Sequence, residues 1–189
     1  RNRCHMNPRH ADPAPRTRPV ASLSLDLDNL WSYMKIRGDA DWQSRPSYLD
    51  TLVPYVLDLF EGERLHLTFF VVGVDAAEAR NHAPLRALAA AGHEVGNHSF
   101  EHEPWLHLYG AEAIEREIRM ADEAIEAACG VRPVGLRAPG CSWCPELHGV
   151  LERRGHNFDA STLPTWLGPL ARTYYFWTAG LDKAEREQR

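Results

Sequence analysis

Four residues of this chain have the types and spacing that water-activating chemistry needs: Asp26 and Asp28 in "SLDLDN", and His98 and His102 in "HSFEH". A hydrolytic metal takes about three protein ligands from His, Asp and Glu and leaves a position open for water. Two histidines at i and i+4 on a turn of helix would present their rings on one side, and one carboxylate would complete the set. Asp28, His98 and His102 are therefore the expected ligands. That leaves Asp26 beside the metal, free to take a proton from water. One divalent ion is expected: zinc first, with cobalt, nickel and iron also suited to two imidazoles and a carboxylate.

Other readings compete for the same residues. The chain holds 10 histidines among 189 residues, so some close pairs arise by chance, and a solvated pair with turn-forming aspartates is the plain alternative. "HSFEH" also fits H-x-x-E-H, a metalloprotease signature that would make Glu101 the general base. That motif requires a long helix under both histidines, whereas "GHEVGN" just before it reads as strand and turn. Cys141 and Cys144 form a C-x-x-C where a helix opens, the place of a redox pair whose thiol pKa a helix N-terminus lowers. A thiol-redox protein would leave the aspartates and histidines unexplained. A binding module that keeps the fold without activity is a third class.

The elements that must carry these residues are legible in outline. Residues 1–19 hold five arginines and four prolines with little apolar content, and read as a disordered leader. "VASLSLDLD" alternates as a strand does, which puts Asp26 and Asp28 on one face and Leu23, Leu25 and Leu27 on the other, towards covering helices. "RPSYLDTLVPYVLDLFEGE" predicts a helix kinked or broken at Pro54. "HLTFFVVG" predicts a buried strand, and "DAAEARNHAPLRALAAAG" one or two helices. "HEVGNH" is a short strand, and "YGAEAIEREIRMADEAIEAACG" is the clearest amphipathic helix. "PVGLRAP", "CPELHGVLERRG" and "HNFDAS" then read as strand, helix and strand. The pattern βαβαβαβαβ argues for a parallel α/β sheet or barrel. In such folds the carboxyl ends of the strands share one rim, where sites are built. Asp26, Asp28, His98, Arg137 and Asp159 all fall at predicted strand ends, and so on that rim.

Composition limits the partners. A net charge of −5 argues against nucleic acid, and no apolar run reaches membrane-spanning length. Four scattered cysteines and no charged-then-apolar opening favour a reducing, cytoplasmic setting. The chain opens "RNRCHMNPRH", without an initial methionine, which leaves room for a preceding segment. No feature specifies an oligomeric state. The rim aromatics Trp31, Tyr33, Trp105, Trp143 and Trp166 could stack on a sugar ring, although each such residue is more often core.

With these residues placed, the chain resembles the polysaccharide deacetylases, the NodB-homology group of carbohydrate esterase family four, from about Ser22 to Trp166. "SLDLDN" looks like the family's acidic first motif, and "HSFEH" matches its H-[ST]-x-x-H in full. "RAPGC" matches R-x-P-x-G in part, and "FDAST" is similar to the fourth motif, with Trp166 an aromatic wall. The resemblance implies a distorted (β/α) barrel and hydrolysis of a non-peptide amide, chiefly N-deacetylation of a sugar or polysaccharide. It implies Asp26 as catalytic base, Asp28, His98 and His102 as metal ligands, and Arg137 holding Asp26 ionised and oriented. It further implies Asp159 as a supporting carboxylate, the Gly140 backbone N–H as an oxyanion donor, and Trp105 and Trp166 against a carbohydrate or small-amide substrate. Three departures stand out. The acidic pair is D-x-D, as in an intracellular branch of which some members act on amides or cyclic imides. The family's last motif, a Leu-His that supplies the general acid, is absent after Asp159, and Cys141 and Cys144 replace residues that are usually not thiols. The chain ends in "LDKAEREQR", in helix-like sequence, so residues 20–189 are expected to be a deacetylase domain lacking its C-terminal part.

Overall fold

The β-branched and aromatic run TFFV forms strand β2, Thr68–Val71, buried along most of its length. It pairs in parallel with β1, Ser24–Leu27, on one side and with β3, Glu94–Asn97, on the other. β4, Gly135–Leu136, and β5, Phe158–Asp159, extend the sheet with two residues each, and the strand order is β1-β2-β3-β4-β5. The structure is a computed structural model that describes residues 21–63, 65–162, 170 and 173. The predicted leader at 1–19, Trp166 and the end of the proposed domain lie outside the described residues.

A sheet whose parallel strands follow sequence order steps always in one direction. Right-handed crossovers then place every connecting helix on the same face, as in a barrel wall. The helices are α1 (Leu30–Arg37), α2 (Leu49–Phe60), α3 (Gly73–Ala77), α4 (His82–Ala90), α5 (Ala111–Cys129) and α6 (Pro145–Arg154). Leu27, Phe69, Val71 and Val95 form one core with Leu49, Val53 and Val56 of α2, Leu85 and Leu88 of α4, and Ala121 and Ile125 of α5. Leu136 packs into a second core with Ile114 and Ile118 of α5 and Leu147, Val150 and Leu151 of α6.

The other face is the barrel interior. In register across it lie Asp26, Phe70 and Gly96, and beyond them Gly135 and Phe158. A Cβ on Gly96 would sit 2.6 Å from the Phe70 ring, and one on Gly135 would sit 2.0 Å from the Phe158 ring. The two glycines thus let both aromatic rings lie flat on the sheet, where the rings meet edge to face at 6.4 Å.

Three expectations change. Leu23 and Leu25 are not covered by helices: Leu25 shares the face of Leu27 and Phe69, yet Leu23 and Leu25 are both exposed and only Leu27 is buried. β1 is an edge strand among the described residues, and of its leucines only Leu27, at its carboxyl end, joins the core. The helix α2 runs as one element through Pro54 instead of breaking there. Helix α1 was not legible in advance, because it has no apolar stripe: Leu30 and Tyr33 are exposed while the polar Ser32 is buried.

Candidate metal centre

The first strand and the residue after it deliver two carboxylates, Asp26 and Asp28, two residues apart in sequence, and the third strand delivers an imidazole. His98 directly follows β3, and its N–H continues the ladder by donating to the Val71 carbonyl at 2.9 Å. The segment from His98 to His102 is not the helical turn that the i, i+4 spacing predicted. Ser99 and His102 both lie in the left-handed region, with φ of 59° and 54°. The reason is that every main-chain group between them is bonded elsewhere. Ser99 N–H donates to Asn97 Oδ1, and the Phe100 and Glu101 N–H groups both donate to Glu117 Oε2. The carbonyls of Ser99 and Phe100 accept from Gly73 and Val74, and the Glu101 carbonyl accepts from Lys35 Nζ. Nothing remains for an i to i+4 ladder.

This loop nevertheless brings the two rings together. His98 and His102 are buried, with ring centroids 5.1 Å apart. Asp28 Oδ1 lies 3.3 Å from His98 Nε2 and 3.2 Å from His102 Nε2. Among the described residues these three form the group whose ligand atoms all lie within 4.8 Å of one another. His98 Nδ1 is 2.5 Å from the Arg137 carbonyl, so it carries the proton and Nε2 presents its lone pair. Asp28 Oδ1 is buried and receives no directed hydrogen bond, although two imidazole nitrogens stand beside it. Three lone-pair atoms converging on each other is the donor set of a divalent cation site, and these residues fit one. Burial pushes the Asp28 carboxyl up, but His102 and His98, when they carry a proton on Nε2 in place of a cation, more than offset this and hold it well below the usual carboxylate range.

Two tyrosines that sequence reading did not assign to the centre close around Asp28. Tyr33 donates its hydroxyl to Asp28 Oδ2 at 3.0 Å, and Tyr48 donates to the Asp28 carbonyl. Burial, then the negative charge of Asp28, pushes the Tyr33 phenol up to about 12, so it remains a donor.

Asp26 stands apart from this cluster. Its Oδ2 is 4.0 Å from His98 Nε2, and its Oδ1 is 2.8 Å from Arg137 Nη1. Arg137, just past β4, reaches across the barrel interior over the Phe70 ring, 4.4 Å from its centroid, and also donates to Ser24 Oγ at 2.7 Å. Its Nε donates to the Ala160 carbonyl at 3.3 Å. Asp159 does not meet Asp26. Its Oδ1 accepts from the Ser161 N–H and hydroxyl, and Ser161 Oγ in turn accepts the Ala138 N–H. Asp159 therefore braces the segment after Arg137 one step removed.

Gly140 adopts φ of 61° beside Pro104, two residues past His102, and Ser142 ties the same loop down by donating to the Pro104 carbonyl at 2.5 Å. Trp105, expected against substrate, is only 3% exposed and so offers no stacking face. The exposed aromatics at the cluster are Tyr33 and Tyr48, Tyr33 the more open of the two. Glu101, the base of the protease alternative, pairs with Lys35 at 3.0 Å, outside the ligand group. The redox alternative also weakens. Cys144 is buried as the N-cap of α6, taking the Leu147 N–H, and burial raises its thiol pKa where a redox thiol needs it lowered.

Glu117 carried a readable signal: a carboxylate on the apolar stripe of α5, beside Ile114, Ile118 and Ala121. Tyr33 carried only the signal of a rim aromatic and Lys35 none, since α1 has no apolar pattern against which to read them.

Sequential parallel strands, helices on one face and a polar cluster at the strand ends define an α/β-barrel protein with its site on the carboxyl rim. Comparison with known proteins gives the family. The sequence model of the family described as "Polysaccharide deacetylase" matches residues 39–158, well over half of the chain, and the chain belongs to that family. The chitooligosaccharide deacetylase of Sinorhizobium fredii (strain NBRC 101917 / NGR234) is 38% identical over 95 residues, 50% of this chain and 43% of that protein. The chitooligosaccharide deacetylase of Rhizobium leguminosarum bv. trifolii is 44% identical over 75 residues, 39% of this chain and 33% of that protein. A crystal structure from Mycobacterium smegmatis, described as a polysaccharide deacetylase, superposes with a TM-score of 0.64 at 28% identity, over 73% of this chain and 49% of that one. The matches span less than half the length of these relatives. Among the described residues no helix is long and apolar enough to cross a membrane.

Proposed function

We propose that this protein is a metal-dependent deacetylase that hydrolyses the N-acetyl group of an acetylated amino sugar, in an oligosaccharide or polysaccharide. The observation that carries the reading is the convergence of Asp28, His98 and His102, with the Asp26–Arg137 pair beside them. The relatives named as chitooligosaccharide deacetylases support the substrate class. Asp28, His98 and His102 would hold the ion, zinc being the first choice for this donor set and cobalt, nickel or iron also suited. When bound, such an ion supplies Lewis acidity, polarising an acyl carbonyl and acidifying water.

The chain's own residues do the rest. Water adds to the acetyl carbon, the C–N bond breaks, and acetate and the free amine leave. Asp26 is the general base that takes the proton from the attacking water, since its Oδ2 faces the cluster while Arg137 holds Oδ1. Arg137 holds that carboxylate aimed through its Nη1, and Asp159, through Ser161, steadies the loop after Arg137. The Gly140 N–H is the assigned oxyanion donor as the carbonyl becomes tetrahedral.

The test is acetate release from an N-acetylated chitooligosaccharide, comparing the wild type with Asp26→Asn. Loss of about 100-fold or more, the scale of a general base, is the expected result. Undiminished release by Asp26→Asn would remove Asp26 from the mechanism.

A further inference from the structure

Tyr33 lies on α1, outside residues 39–158 where the family match runs. Its ring is 49% exposed and 6.5 Å from the His102 ring, and its hydroxyl is 3.0 Å from Asp28 Oδ2. Asp28 is restrained in two separate ways. Its main chain is held by the Tyr48 hydroxyl on its carbonyl, and by Asn29, which accepts the Tyr48 N–H at 3.0 Å and donates to Ser47 Oγ at 3.1 Å. None of these bonds restrains the Asp28 side-chain torsions. The carboxylate is set instead by what its two oxygens meet: the imidazoles at Oδ1 and the phenol at Oδ2. The two oxygens are chemically equal, so without a partner on Oδ2 the group is free to swing about its second torsion, a broad and roughly two-fold rotor.

We infer that Tyr33 is a positioning residue of the metal centre. Its phenol O–H holds Asp28 Oδ2, so that Oδ1 is the atom offered, with Nε2 of His98 and His102, to a divalent cation. The inference rests on the reading of Asp28, His98 and His102 as ligands. Partners that orient a ligand in this way commonly govern metal affinity by about 10- to 100-fold.

The experiment titrates the chelator-stripped protein with Co2+, following heat and visible ligand-field absorption, in the wild type, Tyr33→Phe and His102→Ala. Tyr33→Phe keeps the half-exposed ring and removes only the hydroxyl, so its melting temperature should match the wild type. It should bind Co2+ about 10- to 100-fold more weakly, with a shifted absorption band at saturation. His102→Ala should show no comparable binding. Wild-type affinity and spectrum in Tyr33→Phe would overturn the role of Tyr33 and leave the ligand assignment standing. Weaker binding with a lowered melting temperature and an unchanged band would also count against it, as the mark of a merely structural residue. Wild-type binding by His102→Ala would overturn the ligand set and the inference together.

Discussion

Asp26 and Asp28 sit two residues apart with side chains towards the same centre, yet they meet different partners. Asp28 is enclosed by two imidazoles and a phenol, and Asp26 is gripped by a guanidinium on the barrel interior. That division sets opposite outcomes for the same substitution. Asp28→Asn should lose the metal, because an amide is a poor ligand and its Oδ1 neighbours are lone-pair nitrogens. Asp26→Asn should keep it. Metal analysis of the two purified variants checks this, and loss from Asp26→Asn with retention in Asp28→Asn would exchange the two roles. These residues were legible because carboxylates and histidines at predicted strand ends have few other reasons to be there. The roles of Tyr33 and Lys35 were not, since Lys35 meets Glu101 across the fold and the short reach from Tyr33 to Asp28 runs from a strand end into a helix that has no apolar pattern to orient it.

At the scale of elements, the site depends on two surfaces meeting closely. Gly96 of β3 lets the buried Phe70 of β2 lie flat, and Phe70 carries the Arg137 guanidinium 4.4 Å above its ring. Gly96→Ala puts a Cβ 2.6 Å from that ring, so Phe70 and then Arg137 must move. Overpacking of this kind costs about 1–3 kcal/mol, and denaturant unfolding should report that loss alongside reduced turnover. Unchanged stability and turnover would mean that the interior yields freely. A second element contact gives a pH dependence. Asp75 of α3 accepts the Trp31 indole N–H of α1 at 2.8 Å, and burial, only partly opposed by that bond, pushes its carboxyl from 3.8 up to about 6. A raised folded pKa means that the folded state binds the proton more tightly. The stability this provides is full below 3.8 and is lost as pH rises through about 6. Asp75→Asn removes that loss, so relative to the wild type it should gain stability between pH 4 and 7, read from melting curves across that range. An offset that stays constant with pH would contradict this. Strands, long helices and their order were legible from periodicity. The loop from His98 to His102 was not, because Glu117, Lys35 and the start of α3 take its main-chain groups, and these lie elsewhere in the chain.

At the largest scale, strand order and family agree: among the described residues a wall of five parallel strands in sequence order, in a chain of the polysaccharide deacetylase family. Alternation of strand and helix was enough to read the class of fold. It was not enough to read that β1 forms an edge among the described residues, and so Leu23 and Leu25 are exposed where covering helices were expected. Exposure depends on neighbours that the local pattern does not name. The proposed function requires one divalent ion per chain at the point where β1 and β3 end. The most direct test is the metal-to-protein ratio of the wild type against the His98→Ala, His102→Ala double variant, each loaded with zinc and freed of excess. One ion per chain in the wild type and none in the double variant is the predicted result. A double variant that retains a stoichiometric ion would contradict the account at its centre.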